Sequence, residues 1–386
     1  MLTVLGRGSK KAARLPLFTS CSRATLEERL APLASPSRAR AAARALFRHV
    51  YRAPDPDRVP WGRDVFAELG VGAWATDALA ALDPNLSLAI ETEAPSADGT
   101  VRLALSTRTG ELIETVLIPG PNRVTVCISS QVGCARACTF CETGKLGLER
   151  QLDAGEIVDQ VRVARRVAAA RGIGAPTNVV FMGMGEPFDN LRDVALATHN
   201  LTDDLGLALA RSKVTVSTVG VADKLAAFFD TCAAELAVSL NAPDDERRSR
   251  IMPINARFDL ATLRAAIARA LPRGRKVLFE YVLIAGFNDA DDDAELVAAF
   301  VGDLPARVNV IPVNPGPNPL HVPPSSARVD AFVARLARTG ITTLVRRPRG
   351  REVGGACGQL AGARRIAENR GEAPTRSAWP GASEHG

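Results

Sequence analysis

Apolar residues change their spacing twice along the chain. Between Thr25 and Tyr51 the stretches LEERLAPL and ARAAARALFRHVY repeat apolar residues every three or four positions, which predicts short helices. Residues Trp61 to Ala81 add one or two more. From 86 to 120 the period falls to two: LSLAIETEA, VRLALSTR and LIETVLIP read as strands, with SADGT as a hairpin turn. From about 121 six strand-like runs follow: RVTVCISS, NVVFMGMG, KVTVSTVG, ELAVSLN, KVLFEYVLIAG and RVNVIPVN. Helical patterns lie between most of them: AGEIVDQVRVARRVAAA, LRDVALATHNL, DKLAAFF, LATLRAAIARA and DAELVAAFVG. Strands alternating with helices imply right-handed βαβ units and a parallel sheet. The fold class is therefore α/β, a partial (βα)6 barrel carrying a small N-terminal helical domain and a β-hairpin extension.

This organisation divides the chain into five parts. Residues 1–20 are a basic segment expected to be disordered, 21–85 a helical accessory domain and 86–120 a β-hairpin linker. Residues 121–362 form the core, and 363–386 a disordered tail. Active sites in such sheets lie at the carboxyl ends of the strands. The loops after the first and second core strands, GCARACTFCETG and GMGEP, both fall there.

Composition narrows the class. At 386 residues with 46% hydrophobic content the chain has ample core, and no apolar run reaches membrane-spanning length. Its basic start is not followed by a signal-type apolar stretch. Seven cysteines without such a signal point to a reducing compartment, hence the cytoplasm. Residues 1–60 carry 12 Lys and Arg against 4 Asp and Glu, whereas the remainder is nearly neutral at 36 against 38. A basic amino-terminal region suits a phosphate backbone; a solvated helical surface is the plainer alternative.

The chemistry concentrates in Cys134, Cys138 and Cys141, spaced C-x3-C-x2-C. Three thiolates can hold three irons of a cubane cluster and leave the fourth open, and an open position on a metal is where chemistry occurs. Zinc is a poorer fit, because a structural zinc site wants four ligands and no Cys-x-x-His pair is present. The spacing resembles the radical S-adenosylmethionine (SAM) superfamily, whose unligated iron binds SAM.

The order of CISSQVGCARACTFCETG, NVVFMGMGEPFDN, VTVSTVGV, LAVSLNAPDDERRSRIMPIN, NVIPVNP and ACGQLAG resembles the RlmN/Cfr family of radical SAM RNA methyltransferases. The match is strong over about 110–362 and holds only in outline before it. The resemblance implies a radical SAM barrel, a 4Fe–4S cluster on Cys134, Cys138 and Cys141, and two SAM per turnover. Cys357 would take a methyl group from the first SAM. The second would yield a 5′-deoxyadenosyl radical that activates the S-methyl group for addition to an adenine carbon. Cys127 would then free the product by forming a disulfide with Cys357, and Glu114 would accept the displaced ring proton. The implied target is C2 of adenine 2503 in 23S rRNA, with adenine 37 of tRNA as a candidate second substrate. The alternatives are a Cfr-type C8 methyltransferase and an iron–sulfur protein that binds RNA without methylating it. An electron donor such as flavodoxin or ferredoxin, a monomeric state and no membrane association complete the expectation.

By the same resemblance, Gly185, Glu186, Ser217, Ser239, Leu240, Asn241 and Asn314 contact SAM. Asn241 departs from the histidine of many relatives, a change that is tolerable if the contact runs through backbone. Glycines at 183 and 185 would let backbone approach a ligand closely, and the Glu186 carboxylate would suit SAM's ammonium. Two arginine clusters are candidate RNA contacts: Arg346, Arg347, Arg349 and Arg351 before the Cys357 loop, and Arg247, Arg248 and Arg250. Cys21 and Cys232 match nothing and read as structural.

Overall fold

The βα alternation builds a parallel sheet with one strand more than its sequence pattern shows. The computed structural model describes residues 15–314 and 321–360; the expected disorder of 1–14 and of the 363–386 tail lies outside them. Helices α1 (Arg23–Leu30), α2 (Pro36–Tyr51), α3 (Arg63–Glu68) and α4 (Thr76–Ala80) come first. Strands β1 (Leu88–Pro95), β2 (Val101–Thr107), β3 (Leu112–Gly120) and β4 (Arg123–Cys127) follow as an antiparallel meander. A small antiparallel pair, β5 (Gln131–Cys134) and β6 (Gly147–Gln151), brackets the cysteine loop.

The repeating units then run α5 (Ala154–Ala170), β7 (Asn178–Phe181), α6 (Leu191–Thr202), β8 (Val214–Thr218), α7 (Leu225–Thr231) and β9 (Glu235–Ser239). They continue through α8 (Asp245–Ile251), α9 (Leu260–Ala270), β10 (Val277–Leu283), α10 (Asp291–Val301), β11 (Ala306–Pro312), α11 (Ser326–Arg338) and β12 (Thr342–Val345). One sheet of ten strands carries the order β1-β2-β3-β4-β7-β8-β9-β10-β11-β12. From β4 to β12 every neighbouring pair is parallel. The expected 86–120 hairpin is thus three strands continuous with the barrel sheet. Strand β12 is the addition: its four residues, Thr-Thr-Leu-Val, are too short and too polar for a periodic signal, and pairing with β11 makes it a strand.

Local signals explain the helix starts. At α5, Asp153 Oδ1 accepts the Glu156 amide at 2.9 Å while Glu156 Oε2 accepts the Asp153 amide at 3.0 Å, a capping box. The apolar side of α5 covers the sheet, with Ile157, Val158, Val161 and Ala164 fully enclosed.

The expectation of disorder through residue 20 is corrected for its last residues. Phe18 is completely buried and meets Phe47 and Trp61 with ring centroids 5.6 Å from each. Gly155 forms a notch in α5: a Cβ there would fall 2.5 Å from Ser20 Oγ and 2.8 Å from Leu17 Cδ1. The Gly155 amide donates to Ser20 Oγ at 3.0 Å, and Ser20 Oγ donates to Asp153 Oδ1 at 2.9 Å. Leu17 and Phe18 are too few to show a period, so only the tertiary contact identifies them as core. Among the described residues no helix is long and apolar enough to cross a membrane.

Candidate active site

Inside the barrel lies a cavity of about 590 Å³. Its wall follows the period-two alternation of the strands: Arg123, Thr125 and Cys127 from β4, Asn178 and Val180 from β7, Leu278 and Glu280 from β10, Asn309 and Ile311 from β11. Intervening residues such as Val124, Val126 and Val179 are buried. Residues 344–349 and 355–357 form the remaining side and bring Arg346 and Cys357 to the wall.

Cys127 and Cys357, 230 positions apart in sequence, therefore share one chamber. Asn314 Nδ2 donates to the Cys357 carbonyl at 3.1 Å, and Asn314 Oδ1 accepts from Arg351 Nε at 3.0 Å. The chain after Cys357 docks on the cluster loop: the Glu142 amide donates to the Gly358 carbonyl at 2.8 Å, and Thr143 Oγ1 donates to the Leu360 carbonyl. The β1–β2 turn holds the approach to the same loop. Arg349 Nε donates to Asp98 Oδ2 at 2.9 Å and Arg349 Nη2 to the Pro119 carbonyl at 3.0 Å, while the Gly350 amide donates to Asp98 Oδ2 at 3.0 Å. Burial opposes charge on Asp98, but hydrogen bonds from Thr100, Gly350 and Arg349 outweigh it and hold its carboxyl well below the usual range. The hairpin turn is thus a clamp for the Cys357 loop.

Cys134 ends β5, and Cys138 and Cys141 occupy the loop between β5 and β6. The Arg136 amide donates to Cys134 Sγ at 3.5 Å, and Arg136 Nε pairs with Asp189 Oδ2 at 2.8 Å. Burial pushes the Cys134 thiol up to about 12 and raises Cys138 and Cys141, whose charges also act on one another. Buried thiolates that crowd each other need a cation to take the place of their protons, so this donor set fits iron. Among the described residues no group of three His, Cys, Asp or Glu side chains encloses a single metal ion.

The SAM candidates divide by location. Asn314 is on the cavity wall, and Ser217 is one hydrogen bond behind it, donating from Oγ to Glu280 Oε2 at 3.1 Å. Gly185, at φ +101°, packs where a Cβ would fall 2.6 Å from Gln131 Cβ, a position only glycine fills without strain. Glu186 differs from its expected use as a carboxylate presented to SAM's ammonium. Its Oε1 accepts the Phe188 amide at 2.9 Å and its Oε2 the Val219 amide at 2.8 Å. It ties the loops after β7 and β8 together, and burial pushes its carboxyl up to about 7 against those two bonds. Ser239 and Leu240 present their carbonyls to Arg248 Nη2 at 3.2 Å and Nε at 3.1 Å. Asn241 adopts φ +59°, a left-handed conformation that asparagine tolerates. Its Oδ1 accepts the Val282 amide at 3.0 Å and its Nδ2 donates to Met252 Sδ at 3.3 Å. The side chain serves the packing of this turn, as a backbone-mediated contact would allow.

Glu114 is fully buried on β3, 3.5 Å from Arg102 Nη1, and is not among the cavity-lining residues. The arginine expectations change most. Arg248 is completely buried and donates to the carbonyls of Leu240, Val219 and Ser239 and to Asn255 Oδ1; it braces the turn and cannot reach RNA. Arg247 pairs with Asp244 and Asp293, which leaves Arg250, exposed over the Phe287 ring. Replacing Arg248 by Met leaves several buried carbonyls unpaired and is expected to cost about 3 kcal/mol, read as a lower urea midpoint. Arg250→Ala should stay within about 0.5 kcal/mol of the parent.

Glu280 has no counterpart among the sequence expectations. A lone carboxylate in the otherwise apolar run KVLFEYVL was the available signal, since parallel strands are normally apolar throughout.

Residues 128–297 match the family model described as the Radical SAM superfamily. A solved radical SAM methyltransferase from Sphaerobacter thermophilus superposes with a TM-score of 0.77 at 38% identity, covering 89% of this chain and 99% of that one. A fold of this kind, with three cysteines, two buried and one half-buried, after its first parallel strand, defines a radical SAM enzyme that uses a 4Fe–4S cluster and SAM. A probable RNA methyltransferase of Sorangium cellulosum is 62% identical over 356 residues, covering 92% of this chain and 89% of that protein. The dual-specificity RNA methyltransferase RlmN of Magnetococcus marinus is 44% identical over 286 residues, covering 74% and 80%. The chain belongs to the RlmN/Cfr family of radical SAM RNA methyltransferases.

Proposed function

We propose that the protein methylates C2 of adenine 2503 in 23S rRNA, and adenine 37 of tRNA as a second substrate, through an S-methyl group carried on Cys357. One observation carries this reading: Cys127 and Cys357 face the same barrel cavity, with the Cys357 loop bonded directly to the cluster loop. A protein that only bound RNA would have no use for two thiols sharing a chamber beside a radical source. Relatives named RlmN favour C2 over C8.

When bound, the cluster and SAM supply the one-electron chemistry that makes an inert C–H bond reactive. The chain's part is positional. Asn314 holds the carbonyl of Cys357 and so fixes where its sulfur stands. Asp98 and Arg349 restrain the loop from its other end. The Cys127 thiolate attacks the Cys357 sulfur to form a disulfide. The electron pair of the broken sulfur–carbon bond passes to the departing carbon, where a proton completes the methyl group. A dithiol reductant then returns the disulfide to two thiols. Glu114 is the proposed acceptor of the ring proton. Arg102 pairs with this carboxylate at 3.5 Å and abuts Gly354 of the Cys357 loop, so Glu114 stands one side chain behind that loop. An adenine within folded RNA must be unpaired or flipped to enter such a chamber.

The test is anaerobic reconstitution with SAM and each RNA, followed by mapping of the product by mass spectrometry. A methyl group at C2 is the expected result. A methyl at C8 would sink the regiochemistry, and unmethylated RNA from a fully loaded enzyme would sink the function.

A further inference from the structure

Arg346 was a candidate RNA contact, but the fold turns it inward. Its amide continues the β12 ladder by donating to the Val310 carbonyl at 2.9 Å, and its side chain joins Cys127, Cys357, Glu280 and Met182 on the cavity wall. Nη1 lies 3.0 Å from Met182 Sδ and 3.8 Å from Glu280 Oε1. That carboxylate oxygen is buried and has no hydrogen-bond partner among the described residues, while Oε2 accepts from Ser217. A guanidinium and a carboxylate are thus held close without closing a tight pair, against a soft thioether and beside two thiols. A structural salt bridge would take the short, two-pronged geometry that arginine and carboxylate prefer. This one keeps its charge available to the chamber.

We infer that Arg346 is a positioning residue for the sulfur chemistry: its charge stabilises the thiolate of Cys357, and later that of Cys127, while Glu280 holds the guanidinium in place and limits its effect. This rests on the proposed role of Cys357. Methyl acceptance needs a thiolate, because the new S–CH3 bond uses the sulfur's own electron pair. The sulfonium's carbon–sulfur pair leaves with S-adenosylhomocysteine, and the thiol proton must have departed beforehand. The largest influence on Arg346 is the charge of Cys357, which raises its basicity, with Glu280 and Cys127 adding to it against burial. Burial first and the neighbouring Cys357 second push the Cys127 thiol up to about 12, and Arg346 opposes both. The other charged groups on the wall are Arg123, Arg347 and Arg349, the last engaged by Asp98; Glu280 is the carboxylate there.

The experiment is the pH dependence of iodoacetamide alkylation at Cys357, followed by peptide mass spectrometry on the cluster-loaded full chain without SAM. Cys21, in the amino-terminal helical region, is the internal reference. Arg346→Gln is expected to lower the Cys357/Cys21 rate ratio roughly tenfold near neutral pH and to move the Cys357 midpoint up by about one pH unit. Arg346→Lys should restore most of the ratio, since it returns the charge. Glu280→Gln should move the midpoint the opposite way. A folding defect would also speed alkylation of half-buried Cys21 and lower the ratio, so the absolute Cys357 rate is read beside it and must itself fall while the Cys21 rate stays at the parental value. An unchanged midpoint in Arg346→Gln, or no rescue by lysine, overturns the inference. A C8 product or a Cys357 that never carries a methyl group would overturn the proposed function and leave this profile intact.

Discussion

Cys357→Ala is expected to reduce RNA methylation by at least about a thousandfold while leaving the iron content of the protein unchanged. The size follows from removing a covalent carrier, which ordinarily costs orders of magnitude because no neighbouring group can take over the bond. The selectivity follows from geometry. Cys357 sits on a half-buried loop and contributes its backbone carbonyl, not its sulfur, to the bonds that fix that loop. The cluster cysteines belong to a separate loop whose links to this segment also run through carbonyls, those of Gly358 and Leu360. With methyl-labelled SAM the parent should hold label on the Cys357 peptide and pass it to RNA; the variant should do neither. Methylated RNA produced by the variant at the parental rate would mean that another group is the carrier.

Cys127→Ala should fail later in the cycle. Under the proposed mechanism the methyl carrier is loaded and the base is attacked, but the sulfur that would displace Cys357 is missing. The product stays attached, so close to one RNA per enzyme should accumulate as a covalent adduct visible on a denaturing gel. Stability should fall by only about 1 kcal/mol, because a single buried sulfur is removed from a wall that already borders a cavity. The parental release step has a defined pH dependence. Burial and the adjacent Cys357 raise the Cys127 thiol to about 12, so at neutral pH nearly all of it is protonated. Only the thiolate attacks. Release should therefore quicken by about tenfold per pH unit on the alkaline side of neutrality, provided the cluster survives. Normal turnover without adduct in Cys127→Ala, or a release rate independent of pH, would remove this residue from the mechanism.

Arg346 and Arg248 show where sequence reasoning reached its limit. Both are arginines in charged runs, RRSR and VRRPR, and a charged run reads as a solvated or RNA-facing surface. Their fates depend on what the fold wraps around them. Arg248 falls beneath the turn after β9 and replaces water with carbonyls. Arg346 directly follows a four-residue strand, and its amide bond to the Val310 carbonyl holds it on the cavity wall. The Arg346 partners Met182 and Glu280 are distant in sequence, and those of Arg248, though mostly nearer, are chiefly backbone carbonyls, which carry no local mark. Glu186 is half local: its Phe188 donor is two residues away, but its Val219 donor comes from the loop after β8.

The local sequence determined the βα alternation, the capping box that starts α5, the cysteine spacing and, by resemblance, the family and its two further cysteines. These are short-range properties: hydrophobic period, cap chemistry and motif spacing are set by residues within a few positions of one another. Tertiary structure alone decided that Leu17 and Phe18 are core, that β12 completes the sheet, that the β1–β2 turn clamps the Cys357 loop, and that Cys127, Cys357, Glu280 and Arg346 share one chamber. Those facts arise where strands far apart in sequence turn alternate residues to a common interior, which brings together groups that no local pattern pairs.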